Sequence, residues 1–481
     1  MNYRMVLYIL GKTVGIEGLF LLAPAVCGMI YKENFLPYLL WAVVLYALSL
    51  VTSFKKPKQT EIHSRDGFIC VALCWIVLSL FGAVPFMLTG EIPSFFDAFF
   101  EIVSGFTTTG ASVVKNVEGL SHATLLWRSL SQWLGGMGVL VFVLAVMPKA
   151  DMKNTRYMHL MRAEVPGPSV DKLVPKIAST ARVMYGIYLA LTAIEVIFLL
   201  CGEMNLFEAL THSFSTASTG GFGIKNSSVG GYSAYSQYVI GSFMFLFGVN
   251  MNVFYLILTG HIIKAFKSEE LWWYLGIAGF AVLVIMFSLM GQNMGSEGAF
   301  RHSFFQVASI MTTSGFSTAD FNSWPMIAQA ILVLLMFVGG STGCTAGGIK
   351  IGRLLLLGKN AKREAGYLLH PNLVRSVKVD GRTISHETIR GTTSFIIMYM
   401  IIFVIATIGL IAVEGCDLIT GFTAVTATIN NIGPGLGAVG PAANFAHFTD
   451  FSKILLSATM LIGRLEIFPL LILFSPVSWR R

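Results

Sequence analysis

Four short clusters of glycine with small polar neighbours are the part of this 481-residue chain best suited to chemistry. They are Thr107–Gly110, Ala217–Gly220, Thr312–Gly315 and Asn430–Gly433. None carries a nucleophile beside a base or a set of metal-ligating carboxylates. What such residues offer is main-chain oxygen. Glycine tolerates positive φ, so neighbouring carbonyls can turn the same way, and a ring of carbonyls can replace the water shell of a cation. The glycines Gly110, Gly220, Gly315 and Gly433 recur at intervals of 110, 95 and 118 residues. That spacing marks duplication of a whole two-helix unit and is too long for a solenoid repeat.

The stretches before the clusters, Asp97–Phe106, Glu208–Thr216, His302–Met311 and Asp417–Thr428, are apolar. They are shorter than the roughly 20 residues needed to cross a hydrocarbon core, which predicts re-entrant half-helices. Asp97, Glu208 and Asp417 stand near their starts, where a helix dipole favours a carboxylate and ordinary N-capping would also place one. Irregular backbone survives at membrane depth only if it is buried in protein or lines a wet cavity. Four such loops are therefore expected to converge, with the carbonyl ends of the half-helices favouring a cation.

The rest of the chain supplies elements that could hold such loops. Hydrophobic residues make up 55% and charged residues 12%, with mean hydropathy +0.71; about 25% charge is usual for a soluble domain. Long apolar runs cover Phe68–Leu88, Leu125–Met147, Val183–Cys201, Tyr238–Thr259, Trp272–Met290 and Ser394–Val413, after a first hairpin at 5–30 and 36–53. The start of the chain reads as a first membrane helix, without the cleavage pattern of a signal peptide. The expected fold is all-α and polytopic. Its predicted units are an N-terminal two-helix hairpin at 1–60 and four helix–pore loop–helix repeats at 61–150, 151–267, 268–365 and 366–481, arranged around a central pore.

The net charge of +8 gathers in short stretches between apolar segments: Lys55–Arg65, Lys149–Lys176, Lys350–Arg382, and Arg480 with Arg481. The positive-inside rule places these, with both termini, in the cytoplasm. No aromatic-interleaved basic surface points to nucleic acid. Six scattered cysteines and nine histidines show no metal-ligand spacing, so no cofactor is expected. An embedded enzyme is disfavoured, since neither H-E-x-x-H nor G-x-S-x-G is present.

Two features suit gates. Five glycines, Gly339, Gly340, Gly343, Gly347 and Gly348, interrupt an apolar segment. Each costs a helix about 1 kcal/mol relative to alanine, so a flexible loop is expected beneath the clusters, inside protein. Arg464 lies within the apolar run Leu455–Phe474, where a charge costs at least about 2.5–3.5 kcal/mol near the bilayer centre. It should face protein or water, and Glu466 is poorly spaced to pair with it. Arg128 and Gln132 are expected to brace the first loop, and Lys12 and Glu17 to be satisfied locally.

Three stretches give a resemblance. They are Trp127–Gly138 with Pro148 closing its helix, Ala163–Pro168 running on to Asp171, Lys172 and Leu173, and Thr428–Gly437. Together the chain resembles the TrkH/KtrB family of potassium transporters, and the extra N-terminal hairpin points to the TrkH branch. The resemblance implies potassium, the transported ion, bound by carbonyls of Thr108, Thr109, Ser218, Thr219, Thr313, Ser314, Asn431 and Ile432 beside the four filter glycines. It assigns a gating role to the glycine loop and to Arg464. It implies a homodimer in the cytoplasmic (inner) membrane that carries a TrkA-like nucleotide-binding regulatory subunit. The fourth cluster, Asn-Asn-Ile-Gly, departs from the hydroxyl pattern, which predicts unequal ion sites and weaker discrimination against sodium. Sodium- or proton-coupled symport by the same fold stays open.

Overall fold

The computed structural model describes residues 2–54, 57, 64–138, 177–292, 294–370 and 376–476. Pro148, Ala163–Pro168, Asp171, Lys172, Leu173 and the Lys149–Lys176 cluster lie outside the described residues. So do Lys55, Lys56, Lys58, Arg375, Arg480 and Arg481.

The opening hairpin is α1 (Tyr3–Phe20), α2 (Leu22–Tyr31) and α3 (Leu36–Ser53). Small residues set its closeness: a Cβ at Gly15 would stand 2.3 Å from Ser49 Oγ, and one at Gly18 3.1 Å from Ala42 O. The first long helix after it, α4 (Ser64–Thr89), leads to a half-helix, α5 (Phe95–Phe106), a loop, and α6 (His122–Gly136). The same order of elements follows three more times. It is α7 (Ile177–Leu200), half-helix α8 (Leu206–Ala217), then α9 (Ala234–Phe247), α10 (Met251–Leu258) and α11 (Ile262–Phe266). Next come α12 (Glu269–Met290), half-helix α13 (Ser296–Met311), α14 (Met326–Val338) and α15 (Ile351–Leu369). A small hairpin, β1 (Lys378–Val379) and β2 (Arg382–Thr383), turns at Asp380-Gly381, both at positive φ, as a two-residue hairpin turn requires. The last set is α16 (His386–Glu414), half-helix α17 (Leu418–Ile429), α18 (Asp450–Arg464) and α19 (Phe468–Phe474).

Six helical stretches among the described residues are long and apolar enough to cross a membrane, and the pair α9–α10, bent by 90°, would make a seventh. The half-helices each bury an apolar face, and three of the four carry a side-chain cap, the third starting after Gly295 without one. Ser94 accepts from Asp97 N, Asn205 and Glu208 form a reciprocal capping box, and Asp417 accepts from Thr420 N. These bonds from Thr420 hold the Asp417 carboxyl below its usual range. Capping therefore accounts for the Glu208 and Asp417 carboxylates, whereas the Asp97 carboxylate pairs with Lys453. The third half-helix starts at Ser296, ahead of the expected His302, and has Glu297 in its first turn.

The apolar run Tyr238–Thr259 breaks at Gly248–Asn250, and Leu455–Phe474 breaks at Leu465–Ile467, where Glu466 and Ile467 take positive φ. Both were expected to be continuous helices. The helix after each half-helix therefore stops at a comparable place: α6 at Gly136, α9 at Phe247, α14 at Val338 and α18 at Arg464. Each of these packs against the half-helix of the next set in order: α6 on α8, α9 on α13, α14 on α17, and α18 back on α5. That cyclic packing closes the molecule around one axis.

Candidate functional site

Each half-helix ends in the same backbone turn. Thr108, Thr219, Thr313 and Asn431 all have φ +56, and the next residue's N–H reaches five residues back. Thr109 N donates to Ser104 O at 2.8 Å, Gly220 N to Ser215 O at 2.8 Å, Ser314 N to Ser309 O at 2.7 Å and Ile432 N to Ala427 O at 2.8 Å. This is the Schellman ending, which usually places glycine at the left-handed residue. A threonine there carries a cost of roughly 1–2 kcal/mol, held by the surrounding packing and typical of functional backbone.

The turn fixes the register. Two residues after each left-handed position stands a glycine of positive φ: Gly110 (+80°), Gly221 (+76°), Gly315 (+83°) and Gly433 (+99°). In the second loop this is Gly221, not Gly220 as the sequence spacing suggested. Gly220 matches Thr109, Ser314 and Ile432 instead. Two adjacent glycines made the sequence ambiguous by one residue, and the hydrogen-bonded turn resolves it.

The four glycines close a ring. A Cβ at Gly110 would stand 2.2 Å from Gly220 O, one at Gly221 1.9 Å from Ser314 O, and one at Gly315 2.0 Å from Ile432 O. At Gly433 it would stand 2.7 Å from Thr109 O, returning to the first loop. All four glycines line one open cavity of about 140 Å³, together with Ser112, Lys115, Arg128, Lys225 and Asn444. A second circle of bonds joins the loops beyond the ring. Asn226 accepts from Val117 N (2.8 Å), Val229 N donates to Ser317 O (3.0 Å), Asn322 accepts from Gly437 N (3.0 Å), and Phe445 N donates to Ser112 O (2.8 Å).

Side chains differ around the ring. Asn431 donates to Thr109 Oγ1 (3.0 Å) and Met460 O (2.9 Å), tying the fourth loop to the first. Gln132 donates to Gly220 O (2.6 Å) and accepts from Phe222 N (3.2 Å), so it holds the second loop, not the first as expected. Arg128 does brace the first loop. Its guanidinium meets Glu101 at 2.8 Å and lies 4.2 Å from the Phe222 ring, while Glu101 also accepts from Val113 N (2.9 Å). Arg128 is 2% exposed and Glu101 not at all; removing one partner of such a pair strands a charge, at about 3–5 kcal/mol.

Beneath the ring lies the glycine loop, residues 339–350. Gly347 N donates to Thr313 Oγ1 (2.7 Å), Thr219 Oγ1 donates to Thr345 Oγ1 (3.4 Å), and a Cβ at Gly347 would stand 2.4 Å from Asn430 O. Ser341, Thr345 and Ala346 are buried. The loop returns on itself, with Lys350 N donating to Val338 O (3.0 Å) and Ile351 N to Gly340 O (3.1 Å). Gly339, Gly343 and Gly348 take positive φ, and Gly340 packs against Cys344 and Ala346. Arg464 donates to Thr345 O (2.8 Å) and to Gly135 O and Gly136 O, the last at 2.7 Å, at the end of α6, where a helix terminus favours a cation. The loop and Arg464 thus touch residues of all four sets below the ring.

The TrkH family profile, described as cation transport protein, matches residues 38–481. The chain belongs to the TrkH family. It is 35% identical over 491 residues to the Trk system potassium uptake protein TrkH of Escherichia coli (strain K12), covering all of both chains. To the Trk system potassium uptake protein TrkG of the same organism it is 36% identical, covering 100% of this chain and 99% of that one. The crystal structure of the potassium transporter TrkH from Vibrio parahaemolyticus superposes with a TM-score of 0.89 at 34% identity, over the whole of both chains.

In this TrkH-family chain the sequence reading missed Lys453 and the partners of Asp97 and Glu466. Lys453 pairs with Asp97 at 2.5 Å, and Glu466 pairs with Lys350 at 3.8 Å and with Arg353. Their signal was present as charges within apolar runs, but not the partner. Glu17 is a correction: both its carboxyl oxygens are buried without a hydrogen-bond partner among the described residues, whereas Lys12 is exposed. The reason is packing, since a Cβ at Gly82 would stand 2.9 Å from Glu17 Oε1 and equally close to Ile102 and Phe106.

Proposed function

We propose that this chain takes up potassium across the cytoplasmic (inner) membrane, with the four-loop ring as selectivity filter. The observation that carries the reading is the cyclic contact of Gly110, Gly221, Gly315 and Gly433. Four half-helices present their carbonyl ends to that ring, and aligned carbonyls replace hydration for a cation without an acidic ring. The names of the relatives, potassium uptake proteins, agree with this chemistry. In this reading Thr108, Thr109, Ser218, Thr219, Gly220, Thr313, Ser314, Asn431 and Ile432 frame the ion path, which the glycine loop and Arg464 obstruct. The protein acts as a homodimer, with both termini cytoplasmic and a nucleotide-binding subunit governing the gate.

The test is uptake in bacteria lacking their own potassium systems but retaining such a subunit. Expression of the chain restores growth at low potassium and imports potassium faster than sodium. No rescue with the protein present in the membrane, or equal uptake of both ions, removes the assignment.

A further inference from the structure

Helix α12 opens with two carboxylates, Glu269 and Glu270, that face different structures. A helix N-terminus favours acidic residues in any case, but Glu270 is only 8% exposed and spends both oxygens on the glycine loop and its neighbour. Its Oε1 accepts from Thr342 N at 2.6 Å and its Oε2 from Asn250 Nδ2 at 3.3 Å. No ion pair holds it among the described residues. Around these bonds the α9–α10 break completes a cradle for Ser341–Gly343: Ser341 N donates to Gly248 O (3.0 Å) and Met251 N to Gly343 O (3.4 Å). A Cβ at Gly352 would stand 2.3 Å from Thr342 Oγ1 and 2.8 Å from Glu270 Oε1, so a side chain there would displace both groups of the cradle.

Glu269 reaches the other way. It pairs with Lys359 of α15, and Lys359 Nζ also donates to Lys378 O (2.8 Å) in β1. Glu269 N donates to Asp380 Oδ1 (2.7 Å) at the hairpin turn. Adjacent residues at one helix end therefore bond to the loop on one side and to the hairpin on the other.

We infer that Glu270 is the positioning residue that latches the glycine loop in its obstructing place, and that Glu269 links this latch to the 378–383 hairpin. The inference rests on the gate reading above. A force that lifts the hairpin from α12 withdraws the acceptor from Thr342 N, and the loop loses its hold on the side opposite Arg464. A bond to an ionised acceptor is worth enough to shift a two-state equilibrium by about tenfold or more.

The experiment measures radioactive rubidium uptake per protein into proteoliposomes of the full chain. Arg464→Ala serves as the gate control. Glu270→Ala raises the flux by about tenfold, and Glu270→Gln, which keeps a neutral acceptor, raises it less. Asp380→Ala also raises it, and the double variant adds little to Glu270→Ala alone, as coupled residues should. A merely structural weakening would lower flux and protein yield instead. If Glu270→Ala is not recovered from membranes, Glu270→Gln and Asp380→Ala decide. Wild-type flux in the Glu270 and Asp380 variants beside a raised Arg464→Ala flux overturns the latch and leaves the gate. Wild-type flux in all of them removes the gate reading as well.

Discussion

Alanine at Gly221 abolishes potassium uptake, while alanine at Gly220 leaves a reduced, measurable flux. Gly221 sits at φ +76, and its Cβ would stand 1.9 Å from Ser314 O, a backbone atom of the next loop. Relief requires the third loop to move, which distorts the ring itself. The left-handed penalty alone is roughly 1–2 kcal/mol, and each 1.4 kcal/mol or so is a factor of ten. With the clash added, the expected loss is about a hundredfold or more in maximal uptake. At Gly220 the Cβ meets Gln132 Cδ at 2.5 Å, the end of a side chain that can turn away. The matching positions in the other loops, Thr109, Ser314 and Ile432, already carry side chains. Gly110→Ala and Gly315→Ala follow Gly221→Ala, whereas Gly433→Ala, with 2.7 Å to its nearest atom, is milder. Uptake kinetics normalised to membrane protein check the series. A severe Gly220→Ala beside a mild Gly221→Ala would restore the spacing-based register.

The second large effect has the opposite sign. Deleting residues 340–348 or replacing Arg464 with alanine raises potassium flux in the absence of any activating partner. Thr345 and Gly347 press against the undersides of the second, third and fourth loops, and Arg464 joins Thr345 O to the last carbonyls of α6. The guanidinium also sets a positive charge below the ring, where a departing cation meets it in a low-dielectric surrounding. Loss of both the bonds and the charge shifts the closed state by about tenfold or more. Arg464→Lys keeps the charge but cannot span two partners with a planar fork, so its flux falls between wild type and Arg464→Ala. Stopped-flow flux from proteoliposomes reads the order. Unchanged flux in the deletion, with protein present, would show the loop to be a plain connection.

The half-helices and the broken third span were legible because their signals are compositional: short apolar runs, then polar clusters or a glycine-dense decad. The other breaks were not, because Gly248–Asn250 and Leu465–Ile467 hold only one polar or charged residue each, Asn250 and Glu466, inside largely apolar runs. A kink there depends on what packs against it, such as Tyr274 and Thr312 crowding Gly248. Gly221 escaped for a different reason. Spacing cannot choose between adjacent glycines, whereas the turn at Thr219 can. Glu101, Lys453 and Glu270 were visible as charges, but each role follows from a partner far away in sequence: Arg128, Asp97 and Thr342. Gln132 shows the same limit, since its helix follows the first loop while its side chain serves the second.

The most direct measurement is diffraction from crystals grown in a rubidium salt, with data collected at the rubidium absorption edge. Dehydrated ions held by main-chain oxygen predict anomalous peaks on the axis bounded by Thr108–Gly110, Thr219–Gly221, Thr313–Gly315 and Asn431–Gly433. Rubidium bound only elsewhere in the protein, with that axis empty, would contradict the account.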